Sequence, residues 1–191
     1  DMNEIHKAIE TIERTGNRNL CILHCISIYP PEIPTIHLNN ILGLREEFPQ
    51  YPIGFSDHSI GIEMAIASTA LGAALIEKHF TLDHQKIGMD NQIAIEPPEM
   101  QTLTRCCLNV YTAMGCKDRV VLDAEITQRN VMRRSIIATR DLVKGDRIVE
   151  SDIDVKRPGT GFPPEKIKEI IGKQVIHPIQ KDTVISETDI Q

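Results

Sequence analysis

The stretch IGFSDHSIGIEMAIASTALGAALIEKHF, residues 53–80, decides the fold. Its ends belong to two apolar runs of strand length, YPIGFSD (51–57) and ALIEKHF (74–80), and IGIEMAIASTALG between them reads as a helix. The strands are continuous apolar runs rather than alternating ones, the pattern of parallel strands covered on both faces by helices. Both runs also finish on polar groups. Ser56, Asp57 and His58 close the first, and Glu77, Lys78 and His79 close the second.

The same alternation extends outward. Residues 2–15 carry Ile5, Ala8, Ile9 and Ile12 as a helical stripe that stops at Gly16-Asn17. LCILHCIS (20–27) is a further strand, and Pro30, Pro31 and Pro34 separate it from a helix over 35–48 with Ile36, Asn40, Ile41 and Leu44 on one side. After ALIEKHF, a polar loop with Gly88 leads to a helix that starts at Pro97-Pro98-Glu99 and runs to Met114. The order α-β-α-β-α-β-α makes residues 1–116 an α/β domain. An open doubly wound sheet and part of a closed (β/α)8 barrel both satisfy this pattern. A whole barrel takes roughly 250 residues, so a barrel here would be the C-terminal part of one. The chain starts on Asp1 rather than Met and is expected to be a piece of something longer.

Beyond Cys116 the character changes. Residues 117–134 are charged and irregular, as in a linker. Residues 135–191 show short β-rich segments, a turn at Lys144-Gly145-Asp146 and a short helix at PPEKIKEIIG, and read as a second, small domain near the lower size limit for independent folding.

Composition narrows the function. With 41% hydrophobic and 25% charged residues the chain has the make-up of a soluble globular protein. A net charge of −6, no Trp and 4% aromatics exclude the basic surface and stacking platforms of a general nucleic-acid binder. No apolar stretch approaches the roughly twenty residues of a membrane span. The five cysteines, odd in number and without C-x-x-C spacing, are expected to be reduced thiols of a cytoplasmic protein.

In parallel α/β architectures ligands bind at the C-terminal ends of the strands. Those ends supply His24, Ser27 and Tyr29, then Ser56, Asp57 and His58, then Glu77, Lys78 and His79. Neutral imidazole is the commonest ligand of first-row divalent metals, and His58 and His79 from adjacent strands can meet at one ion. Each can equally be a buried histidine bonded to backbone, and the residues by themselves leave both readings open. IGMDNQIAIEP (87–97) places Asp90 where it can ligate metal or bind a hydroxylated substrate, although an Asx-turn is the simpler local account. Glu77-Lys78 is a candidate ion pair at a strand end, and Asp57 is left without an assigned role unless it orients the His58 ring. Cys25 is expected in the core, and Arg133-Arg134 in a solvated linker. Lys156-Arg157-Pro158-Gly159 sets an Arg, suited to bidentate carboxylate recognition, before a rigid turn.

HCISIYP (24–30), GFSDHS (54–59), LGAALIEKHFT (71–81), GMDN (88–91) and VKRPGTG (155–161) together resemble the sialic acid synthases, in the same order and across essentially the whole chain. These N-acetylneuraminate, legionaminate and pseudaminate synthases join phosphoenolpyruvate to an N-acylated six-carbon sugar. The resemblance implies a TIM barrel, of which the strands above are the sixth to eighth, followed by an antifreeze-like (SAF) domain. It implies a divalent metal, typically manganese, on His58 and His79, which makes these the catalytic residues. It matches Ser56 to the phosphate of phosphoenolpyruvate, and Ser27, Tyr29 and Asp90 to the sugar. Arg157 matches the arginine that reaches the sugar N-acyl group in the partner subunit's barrel of a homodimer.

The implied reaction is attack by C3 of phosphoenolpyruvate on the open-chain aldehyde, addition of water at C2, and loss of phosphate by C–O cleavage. Ser27 stands where bacterial N-acetylneuraminate synthases carry Asn, a departure that counts against N-acetylmannosamine as the sugar. The family's phosphate-gripping lysines and a catalytic glutamate come from the first barrel strands. Without those strands the 191 residues alone are expected to lack full activity. A non-catalytic sugar-binding or assembly module is the alternative from another class. A class II-type metal aldolase on a similar barrel does not account for the antifreeze-like tail.

Overall fold

In the computed structural model, which describes residues 1–191, the three apolar runs become β1 (Ile22–Cys25), β2 (Ile53–Asp57) and β3 (Ile76–Lys78). They form one parallel sheet in chain order, with Cys25 opposite Ser56 and Ser56 opposite Glu77. Four helices accompany them: α1 (Met2–Glu13), α2 (Asn40–Glu47), α3 (Glu63–Ala70) and α4 (Pro97–Met114). This is the α/β order expected, with shorter elements.

The shortening has local causes. Ile33–Thr35 forms a 3-10 turn around Pro34, and His37 sits at a φ of 47°, so α2 starts only at Asn40. By contrast α4 starts where Pro97-Pro98-Glu99 places it. The Glu96 N–H donates to Glu99 Oε2 at 2.9 Å in a capping box, with proline at the helix start.

The helices cover one face of the sheet, not two. Ile53 and Phe55 of β2 point into a core with Ile9, Ile36, Ile41, Leu44 and Phe48, while Ile76 of β3 packs against Ala65, Ile95 and Leu103. Alternation then puts Gly54, Ser56, Cys25 and Glu77 on the opposite face. At Gly54 the strands approach so closely that a Cβ would lie 2.4 Å from Leu23 Cδ2 and 2.5 Å from the Leu75 carbonyl oxygen. Only glycine fits there. The expectation of helices on both faces is therefore corrected: the second face carries the polar strand-end residues instead.

Residues Asp118–Gln191 form a separate unit. The irregular conformation expected of 117–134 gives way to a ten-residue helix, α5 (Asp123–Met132). Its C-terminal carbonyls are satisfied within the unit, since Arg157 Nε donates to Met132 O at 3.0 Å and Gly159 N to Asn130 O at 2.9 Å. Gly159 is required by the contact, because a Cβ would sit 2.5 Å from Arg133 Cβ.

The antiparallel pair β4 (Ser135–Ala138) and β5 (Ile153–Lys156) and the one-turn helix α6 (Ile167–Ile170) enclose Ile136, Leu142, Ile148, Val175, Ile179 and Ile185. The predicted turn forms with Gly145 at a φ of 101°. Arg140 donates through Nε to the buried Asp152 at 2.7 Å and holds its carboxyl below the usual carboxylate range. The structure forms no disulfide. No helix is long and apolar enough to cross a membrane.

Candidate functional site

Register builds the site. On the helix-free face Cys25, Ser56 and Glu77 form one row across the sheet, and the chain beyond each strand contributes Ser27, His58 and His79. Ser56, His58, Glu77, Lys78 and His79 line a cavity of about 130 Å³. The rings of His58 and His79 lie 5.1 Å apart between centroids, tilted by 40°. Tyr29 stacks on His58 at 4.2 Å and meets His79 edge-on at 5.8 Å.

The hydrogen bonds assign the protons. His58 Nδ1 lies 3.2 Å from the carbonyl oxygen of Ile26, which can only accept, so in the neutral ring the proton sits on Nδ1. Its Nε2 then offers a lone pair, with Ser56 Oγ at 3.4 Å. The single Ser56 hydroxyl proton is already given to Glu77 Oε1 at 2.6 Å. His79 Nε2 is buried and has no hydrogen-bond partner at all. His58 Nε2 thus has only this long contact with Ser56, and His79 Nε2 has none, beside one small cavity. A buried unsatisfied polar atom costs about 1–3 kcal/mol, so the arrangement is understandable if something else binds there.

These donors fit a divalent cation. A ring held through Nδ1 by a backbone carbonyl, with Nε2 facing outward, is the usual presentation of a metal-binding histidine. No group of three or more His, Cys, Asp and Glu side chains is assembled in the chain. Two protein donors are one fewer than the three of common catalytic zinc sites, and would leave the other positions of an ion to water or substrate.

Other residues fall differently. His24 faces the helices, where it is buried, donates through Nε2 to Ile36 O at 2.7 Å and stacks on Phe55; it is no part of the site. Ser27 Oγ lies 3.7 Å from Cys25 Sγ, and Cys25 Sγ lies 3.9 Å from His58 Nδ1, so Cys25 borders the histidine pair. The Asp90 carboxylate makes no turn bond and does not line the cavity. Asn91 Nδ2 holds that loop instead, donating to Asp83 O and Lys86 O. Arg157 lies in the second unit, where Met132 O fixes its Nε and its side chain is exposed.

The pairing suggested for Glu77 and Lys78 does not form. Lys78 Nζ bonds Asp57 Oδ2 at 2.9 Å, and Glu77 bonds Ser56. Nor does Asp57 touch the His58 ring. Glu77 is the site residue that sequence reading undervalued. The available signal was its position two residues before His79, which puts both on one face of a strand.

A family model described as the NeuB family matches residues 1–119, and one described as the SAF domain matches residues 133–191. N,N'-diacetyllegionaminic acid synthase of Legionella pneumophila is 36% identical over 179 residues, covering 92% of this chain and 50% of the relative. Human N-acetylneuraminate-9-phosphate synthase is 32% identical over 182 residues, covering 95% and 51%. The crystal structure of N-acetylneuraminic acid (sialic acid) synthetase from Leptospira borgpetersenii superposes with a TM-score of 0.61 at 32% identity, over 69% of this chain and 47% of that one. The chain thus spans about half the length of the curated relatives it matches.

Proposed function

The chain belongs to the NeuB family and carries a SAF domain, and from there we propose that the polypeptide containing it is a nonulosonate synthase. It joins phosphoenolpyruvate to an N-acylated hexose, giving a nine-carbon 2-keto sugar acid and phosphate. The observation that carries this reading is the meeting of the His58 and His79 rings beside one cavity at the strand ends, with His79 Nε2 lacking any partner.

His58 and His79 hold the divalent cation, for which manganese is the first choice. When bound, that cation supplies Lewis acidity at the sugar aldehyde oxygen. The remaining work falls to side chains. Tyr29 covers His58 and keeps bulk water off its ring. Ser56 is placed for the phosphate of phosphoenolpyruvate. To donate to that phosphate its hydroxyl has to leave Glu77, so substrate entry and the release of Glu77 are one event. Ser27, Tyr29 and Asp90 are assigned to the sugar, with Asp90 outside the lining of the histidine cavity.

The sheet is read as part of a (β/α)8 barrel, because one face is covered by helices and the other bears the site. Homodimerisation, with Arg157 on the sugar N-acyl group in the partner subunit's barrel, and a cytoplasmic location complete the proposal. The planar guanidinium of Arg157 is half anchored by Met132 O and free to donate through its Nη atoms.

The test uses the full-length natural polypeptide with phosphoenolpyruvate and a panel of N-acyl hexoses, with products read by mass spectrometry. A mass equal to sugar plus pyruvate, formed only with Mn2+ and lost in His58→Ala, supports the reading. Mn2+ occupancy unchanged in His58→Ala sinks the metal assignment. Sugar binding without product favours the non-catalytic module.

A further inference from the structure

Behind the histidine pair, on the helix side of the sheet, lies a second polar cluster that the proposed chemistry does not use. Asp57 and Lys78 are partners in the β2–β3 register, and their side chains are 1% and 2% exposed. Lys78 Nζ donates to Asp57 Oδ2 at 2.9 Å and also to the Ser59 carbonyl. Asp57 Oδ1 accepts from Ser59 N at 2.9 Å and Ser59 Oγ at 2.7 Å. Every member is satisfied, yet a buried ion pair seldom adds stability over apolar side chains of the same volume. Its use is better sought in geometry.

The placement supplies one. Asp57 and Ser59 bracket His58 in sequence, and Lys78 immediately precedes His79. Consecutive strand residues point to opposite faces, so a tie across the back sets the separation of the two chains from which the rings project at the front. The His58 ring has anchors of its own, Ile26 O and Tyr29. The His79 ring has no hydrogen bond, only ring contacts, while its backbone carbonyl accepts from Ile95 N. Its aim therefore depends on where the backbone at residues 78–79 is held.

We propose that Asp57, Ser59 and Lys78 are positioning residues that hold His58 and His79 at the spacing needed to share one cation, an inference that rests on the metal reading above. The double variant Asp57→Leu/Lys78→Met in the full-length polypeptide tests it, with Mn2+ binding followed by electron paramagnetic resonance and folding by circular dichroism. The expected result is a folded protein with a thermal midpoint near the parent's. Its Mn2+ dissociation constant is expected to be about 10- to 100-fold weaker, the usual cost of losing the groups that orient metal ligands.

Ser59→Ala, which keeps the ion pair and removes one bond to Asp57, is expected to weaken Mn2+ in the same direction by less, and it decides the matter if the double variant does not fold. A folded variant of either kind that binds Mn2+ as tightly as the parent overturns the positioning role alone. A parent that binds no Mn2+ through His58 overturns the metal reading and this inference together.

Discussion

Replacing His79 by Leu is expected to stabilise the metal-free protein while destroying the proposed metal site. His79 Nε2 is buried without a partner, a state that costs about 1–3 kcal/mol. An apolar side chain of similar reach removes that cost and keeps the packing against the rings of His58 and Tyr29. The midpoint shift per kcal/mol shrinks as chain length grows, from roughly 2–4 °C at 150–250 residues to about half that in a polypeptide twice as long, so His79→Leu in EDTA is expected to melt about 1–5 °C above the parent. Mn2+ reverses the order. At 100 times its dissociation constant the ion adds about 2.7 kcal/mol to a protein that binds it only when folded, and adds nothing to the variant.

The assay is thermal melting of the full-length polypeptide in EDTA and across a Mn2+ series. His24→Leu is the control, because that ring donates to Ile36 O at 2.7 Å and its loss leaves the carbonyl buried and unpaired. It is expected to cost about 1–3 kcal/mol with or without metal. If His79→Leu instead lowers the midpoint in EDTA as His24→Leu does, or still gains from Mn2+, then His79 is a structural residue and the site reading is refuted.

Gly54→Val forces a side chain into Leu23 and the Leu75 carbonyl, and is expected to cost about 1–3 kcal/mol in urea unfolding and to weaken Mn2+ binding by spreading the strands. Tyr29→Phe keeps the ring stacked on His58 and is expected to bind Mn2+ like the parent, whereas Tyr29→Ala is expected to bind it about 3- to 10-fold more weakly in an equilibrium titration. In the SAF unit the hydrogen bonds from Arg140 lower the folded-state pKa of Asp152, so the stabilisation is present above the unfolded carboxylate range near about pH 4 and is lost as pH falls through the lowered value. Arg140→Met is expected to melt lower than the parent at pH 7, with the gap closing in melts taken below about pH 4.

The strand–helix–strand reading of residues 53–80 held because parallel strands buried on the helix side must be apolar, and Ile53, Phe55 and Ile76 are the residues that fill that core. Helix ends were less legible. The late start of α2 depends on a backbone turn at His37, and α5 forms where a charged segment meets Arg157 and Gly159, contacts 25 or more residues away in the chain. The candidate ion pair between Glu77 and Lys78 is one that strand periodicity itself disfavours, since neighbours in a strand face opposite ways.

Taken alone, the order of residues determined that three βα units follow one another and that two of their strands end on histidine. It could not determine that β1, β2 and β3 pair in chain order, nor that Asp57 meets Lys78 and Ser56 meets Glu77. Register decided those partners, because a shift of one residue exchanges the faces of a strand. Chemistry is written in the residue types at the strand ends. Whether those types converge on one cavity is decided only when the sheet brings His58 and His79 to the same face, with an unpartnered nitrogen on His79.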